Sequence, residues 1–203
     1  MTGAYPPEPW RLRGHLHTSI FLVRIDDVPV EVPPGWRPMR LGRYGVVGTA
    51  WVSYLPGGVL AYDELMSTLL VRRGARLLPT ITHIWVDSAA SRDGGRALWA
   101  IPKQLATFAR GGGTFLASDD HGTIAAGAVV PRVSMPGLVP FSFHVVQRLG
   151  GSAKVTPVRA RARVGLSRAT FDADPNGPLA FLAQRHPVLS FSLRDFRMTF
   201  GQP

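Results

Sequence analysis

Apolar residues along this chain alternate with polar ones, or run unbroken over short stretches, far more often than they fall at helical spacing. His15 to Ile25 reads as a strand, because Ile20, Phe21, Leu22 and Val23 form a β-prone, buried run. Val28 to Gly45 carries Pro29, Pro33, Pro34 and Pro38 and predicts a connector. A strand over Val46 to Leu55 turns at Pro56-Gly57-Gly58 into a second over Val59 to Arg73. Leu77 to Asp87 predicts a third, with Ile81, His83 and Trp85 on one face by simple alternation. A further strand reaches about Arg110, and hairpins at Gly111–Gly113 and Asp119–Gly122 join strands over Thr114 to Ser118 and Thr123 to Val130.

Pro131 to Pro140 predicts another connector, and Phe141 to Leu149 fits either a strand or a short helix. Lys154 to Ser167 reads as a long edge strand interrupted by Pro157, Asn176 to Arg185 as a short helix, and Val188 to Phe200 as a closing strand. The pattern predicts a mainly β (α+β) fold, an antiparallel curved sheet or cone-like β-barrel with a few short helices. Such a sheet encloses an apolar cavity with few polar groups, a common form for small-ligand sites. Residues 1–203 are expected to form a single domain, with residues 1–14 as an irregular, Pro- and Arg-rich arm against which Trp10 packs.

One stretch departs from this pattern. Ser91 to Ala109 reads S-R-D-G-G-R-A-L-W-A-I-P-K-Q-L-A-T-F-A. Ser91 can cap a short helix with Asp93 in its first turn, and Pro102 ends that helix by disfavouring α geometry at Ile101. Lys103 then leaves the corner in apolar company, between Leu98, Trp99, Ala100, Ile101 and Pro102 before it and Leu105, Ala106 and Phe108 after it. The chain has only two lysines, Lys103 and Lys154, beside 21 arginines. Burial disfavours the ammonium, and a neutral amine is a nucleophile towards carbonyls. A lysine lying along apolar surface with its tip in water fits the same residues.

Composition narrows the possibilities. At 45% hydrophobic and 18% charged residues, the chain suits a folded globule with a substantial core. No apolar run is long enough to span a membrane, and the N-terminal stretch has no secretory pattern, so cytoplasm is the expected location. With no cysteine there is no disulfide, thiolate or cysteine–metal chemistry. His15 and His17 share a strand face but lack further ligands, so no metal is expected. The net charge of +10 and the run Val158-Arg-Ala-Arg-Ala-Arg-Val164 suggest an anionic partner. No nucleic-acid-binding motif accompanies them, so nucleic acid is not the expected partner. Arg159, Arg161 and Arg163 fit a solvated sheet face, and equally a face for a subunit or an anionic substrate.

His83-Ile-Trp-Val-Asp87 followed by Gly95-Arg-Ala-Leu-Trp-Ala-Ile-Pro-Lys-Gln-Leu-Ala106 resembles the acetoacetate decarboxylase family, as does Tyr62-Asp-Glu64 upstream. The likeness covers roughly Val46 to Val130. It implies a β-rich, usually oligomeric fold in which Lys103 forms a Schiff base and Glu64, one of three glutamates, is the active-site carboxylate. Gln104, Trp85, Tyr62 and His83 become candidate substrate-binding residues, with no cofactor required. Four positions depart from the family: Gln104 replaces a second lysine and Ala97 an acid. Another acid falls near Thr49, and an N-terminal arginine has no secure counterpart around His15. The imine-forming lysine is kept while much of the carboxylate-handling set is altered. The expectation is a carbon–carbon lyase acting on a β-keto acid or related ketone, by decarboxylation. The alternatives are a lysine-imine aldolase, dehydratase or cyclase on a larger keto substrate, or a non-catalytic ligand-binding protein.

Overall fold

The computed structural model describes residues 5–202, and its regular structure is built around one large curved sheet. The strands are β1 (Trp10–Arg24), β2 (Arg37–Pro38), β3 (Arg40–Leu41), β4 (Tyr44–Tyr54), β5 (Tyr62–Arg73) and β6 (Arg76–Val86). After the helix α1 (Ala89–Trp99) come β7 (Lys103–Leu105), β8 (Thr107–Gly111), β9 (Thr114–Asp119) and β10 (Gly122–Ser134). The last three are β11 (Val139–Leu149), β12 (Ser152–Ala173) and β13 (Leu189–Phe200). Their order is β7-β6-β5-β4-β1-β13-β12-β10-β9-β8, with β11 also on β12, β2 on β5 and β3 on β4. Pairing is antiparallel except between β6 and β7, which the crossover through α1 makes parallel. At 22 residues, β12 serves two partners in succession, β11 along Ser152–Ala162 and β10 along Gly165–Ala173.

The expected curved β architecture is present, with differences at particular elements. β1 begins at Trp10, so the irregular arm is shorter than residues 1–14, and its first four residues lie outside those described. Trp10 is 1% exposed and meets Trp99 edge to face. β10 continues through Pro131 to Ser134, and Val139–Leu149 is a strand paired with β12 along its whole length. Residues 176–185 form no α-helix, only a short 3-10 turn at Ala180–Leu182. Gly177-Pro178 precedes that turn and Gln184 is left-handed at φ 58°, leaving too few residues to nucleate α geometry. Among the described residues no helix is long and apolar enough to cross a membrane.

Both faces of the central strands are buried. Along β5, Tyr62, Glu64 and Met66 share one face with Ala50, Val52 and Tyr54 of β4. Leu65 and Leu69 point the other way, into a core with Trp51, Trp85, Phe171 and Phe181. On the outside, Arg159, Arg161 and Arg163 are exposed while Val158 and Ala162 are fully buried. Arg161 lies directly opposite Arg197, which in turn lies opposite Arg13. Like charges opposed in this way cost stability at low salt and less as salt rises.

The curl brings β11 against β6 without a backbone ladder. The buried amide of Gln147 on β11 takes that ladder's place. Its oxygen accepts from the Ile81 N–H (2.8 Å) and the Thr80 hydroxyl (3.0 Å), and its nitrogen donates to the Ile81 carbonyl (3.0 Å). Gln147→Leu strands three buried polar groups, each worth about 1–3 kcal/mol when left unpaired. The variant is expected to lose about 3 kcal/mol or more in denaturant titration. A protein of this size should then melt roughly 6 °C or more lower.

Candidate active site

Lys103 opens β7, immediately after α1 and its Pro102 corner. The helix starts one turn earlier than expected. Ser88 is its cap, accepting from the Ser91 N–H at 3.2 Å, which leaves the Ser91 side chain free for other work. Its C-terminus closes on Ala100 in the left-handed region, with the Ala100 and Ile101 N–H groups returning to Arg96 and Gly95 carbonyls. Lys154, the other lysine, donates to the Leu98 carbonyl in the last turn. Arg96 donates from Nε to the Lys103 carbonyl at 2.6 Å, fixing the backbone that carries the amine.

Lys103 is 4% exposed, and its Nζ donates to three oxygens. These are Glu64 Oε2 at 2.9 Å, Ser91 Oγ at 2.9 Å and the Tyr62 hydroxyl at 3.2 Å. Glu64, 2% exposed, accepts at its other oxygen from the Tyr54 hydroxyl at 3.1 Å. Burial, the largest single influence on Lys103, pulls its pKa down, but the Glu64 carboxylate and the Tyr62 phenol beside it outweigh burial. The net direction is upward from the ordinary 10.5, so at neutral pH the resting amine is an ammonium. This corrects the expectation that burial alone would leave it neutral. Burial raises the Tyr62 pKa to about 12 despite the opposing pull of Lys103, and burial with the Glu64 charge holds Tyr54 well above 10.0. Both phenols are therefore protonated donors at neutral pH.

Gly95 is part of this arrangement. A Cβ there would come within 2.8 Å of Lys103 Cδ and 2.9 Å of Cε. Alanine normally stabilises a helix interior by about 1 kcal/mol over glycine. Gly95→Ala is instead expected to push the lysine stem off its three partners. Ketone adduct formation on Lys103 should fall at least tenfold, read by intact mass, with the helical circular dichroism retained.

Lys103, Glu64, Tyr62 and Tyr54 sit in the wall of a cavity of about 540 Å³. The rest of the wall is almost wholly apolar, with Trp10 and Trp99 from the arm side, Ile81 and Ile84 from β6, and Phe141 and Phe143 from β11. Of the residues expected to bind substrate, only Tyr62 belongs here. Gln104 is exposed on the opposite face of β7, because neighbours in a strand cannot share a side. His83 and Trp85 lie outside the cavity, stacked on each other with centroids 6.0 Å apart, and Trp85 belongs to the second core. A bulge opposite Ser67 and Thr68 inserts Thr82 into the alternation. Ile81 and Ile84 therefore face the cavity while His83 and Trp85 turn away. Burial holds His83 below its usual 6.5.

Ala97 is exposed on α1 and His15 lies outside the cavity wall, whereas Thr49 lines it. Ser91 and Tyr54 were missed. The spacing of the helix cap, Ser88 to Ser91, and the polar tip of Tyr54 in an otherwise buried strand are the signals that could have found them.

No protein-family model matches the sequence, and no curated protein matches it. Solved structures do. Acetoacetate decarboxylase from Legionella pneumophila subsp. pneumophila str. Philadelphia 1 aligns over 98% of this chain and 88% of its own, with a TM-score of 0.73 and 15% identity. The enduracididine biosynthesis enzyme MppR complexed with pyruvate aligns over 98% and 90%, with a TM-score of 0.69 and 16% identity. An acetoacetate decarboxylase-like enzyme from Sphingomonas wittichii RW1 aligns over 97% and 91%, at 0.63 and 12% identity. The open curved sheet, with an α-helix before Lys103, is the acetoacetate decarboxylase-like fold that the sequence led us to expect.

Proposed function

We propose that this chain is an imine-forming lyase in which Lys103 is the nucleophile and Glu64 its proton acceptor, acting on a ketone held in the cavity. The observation that carries this reading is the buried Lys103 Nζ, 2.9 Å from Glu64 Oε2, in the wall of a largely apolar cavity. One proton passes from the ammonium to the carboxylate, leaving an amine whose lone pair adds to the carbonyl carbon. A nitrogen proton moves to the resulting alkoxide to give the carbinolamine. The acid form of Glu64 then protonates the departing hydroxyl, and water leaves as the carbon–nitrogen double bond forms.

The sequence of steps ends as it began, with one cation on nitrogen beside one carboxylate. For a neutral ketone the low-dielectric site therefore holds no net charge throughout. The iminium accepts the electron pair of a bond one carbon away, giving an enamine that is reprotonated at carbon. Tyr54 holds the second oxygen of Glu64, and Tyr62 and Ser91 fix the direction of the amine. The resemblance implies release of CO2 through that enamine, and aldol cleavage, dehydration or cyclisation proceed through the same species.

Incubation with acetone, and separately with acetoacetate, followed by borohydride and peptide mass mapping, tests the reading. A reduced adduct on Lys103 with at least one of them is expected. No adduct at Lys103 with either of these, or with a long-chain methyl ketone, would overturn it.

A further inference from the structure

The walls of the cavity specify more than a ketone. We infer that the substrate is an uncharged carbonyl compound with a long or bulky apolar body, so that the reaction it undergoes is not the release of CO2. This rests on the imine reading above and adds the class of molecule that fits it.

Charge argues first. Among the described residues, Lys103 and Glu64 are the only charged groups in the cavity wall, and each is already paired with the other. No arginine or histidine lines it, and residues 1–4 and 203 carry no cationic side chain. A substrate carboxylate would bring a second anion against Glu64 with no second cation to meet it. An unpaired charge in such surroundings is strongly disfavoured.

Three of the remaining polar side chains are already committed. Thr18 donates its hydroxyl to the Thr49 carbonyl at 2.8 Å, and Thr68 donates to the Gly48 carbonyl at 3.3 Å. Tyr54 is committed to Glu64 and raised well above its ordinary pKa by burial. Donors for a carbonyl oxygen are thus concentrated around Lys103.

Size argues second. The space of about 540 Å³ is far larger than a four-carbon keto acid, and an apolar cavity left unfilled forfeits contact along its walls. Besides Lys103, its wall includes Ile81, Leu193, Phe191, Phe141 and Phe143. Phe143 is 39% exposed while also lining the space, which marks it as part of the rim. A chain or ring system attached to the carbonyl would lie along these residues with its reactive end at the amine.

Three probes separate the possibilities by borohydride trapping on the full-length protein. They are acetone, methyl decyl ketone, and the keto acid in which a carboxylate replaces the methyl of that ketone. Half-maximal trapping is expected at a concentration at least 100-fold lower for methyl decyl ketone than for acetone. Shorter methyl ketones should fall between, at about fourfold per methylene until the space is filled. The keto acid is expected to trap at least tenfold less well than its neutral counterpart.

Trapping of acetone with no gain from chain length would overturn the size argument. A keto acid that traps as well as the ketone would overturn the charge argument, and either result sinks the substrate assignment while leaving the imine intact. Absence of any Lys103 adduct with all three removes the imine reading itself, and the assignment with it.

Discussion

Lys103→Ala is expected to lower turnover of a true ketone substrate by about ten-thousand-fold or more, the scale of losses seen when a nucleophile is deleted. The borohydride adduct should vanish with it. Alanine leaves the Glu64 carboxylate buried without its cation, so the variant's fold needs an independent check by circular dichroism and melting. Lys103→Met keeps most of the stem that packs on Gly95 and removes only the amine. Both variants should be inactive, and the methionine variant should be the better folded of the two. Undiminished turnover in either would remove the nucleophile from the mechanism.

Glu64→Gln is expected to reverse the behaviour of the amine. In the wild type the Lys103 pKa lies above its ordinary 10.5, because the Glu64 carboxylate and Tyr62 outweigh burial. A cation stabilised by folding contributes stability fully below the unfolded pKa, and that contribution is lost as pH rises through the folded value. The wild type should therefore lose stability in the alkaline range above about 10.5. In the glutamine variant, burial is opposed only by the uncharged oxygens of Tyr62 and Ser91, and the folded pKa is expected to drop below the unfolded one. Stability should then rise with pH towards that same value, the opposite slope. At neutral pH the broken pair is expected to cost about 3–5 kcal/mol.

The same substitution divides the chemistry. More of the amine is neutral, so a single trapping event with acetone should proceed at lower pH than in the wild type. Turnover should nevertheless fall by roughly 10²–10⁴, because the proton carrier is gone. Unchanged alkaline slopes in urea titrations would show that the carboxylate does not hold the proton on Lys103.

Much of this was legible in the residues. Strand-forming runs, the Pro102 corner and the apolar flanks of Lys103 mark the amine, and the resemblance of Tyr62-Asp-Glu64 to the acetoacetate decarboxylase family pointed to its partners. What sequence alone did not supply was geometry between distant segments. The direction of the Lys103 pKa depends on a carboxylate that β5 delivers from 39 positions away, and local composition contains only the burial half of that balance. His83 and Trp85 were misassigned because one inserted residue at Thr82 reverses a face, and nothing in Leu77–Asp87 announces a bulge. Gln104 was avoidable, since strand alternation forbids it the side taken by Lys103. Ser91 was read as a cap because serine fits both roles, and only the helix's true start at Ser88 separates them.

β5 carries the carboxylate of Glu64 on one side and Leu65 on the other, both buried to 2% exposure or less. Loss of the Asp63 codon would shift the reading of that strand by one place, bringing Glu64 to the position of Asp63 beside Arg110 and Leu65 to the position facing Lys103. A leucine would then stand where Lys103 now has its carboxylate and a methionine where the core now has Leu65, so the same lesion would damage the buried ion pair and the packing together. Length variation in descendants of this gene should accordingly collect in the 28–36 connector and the 135–138 turn, where no ladder fixes the count.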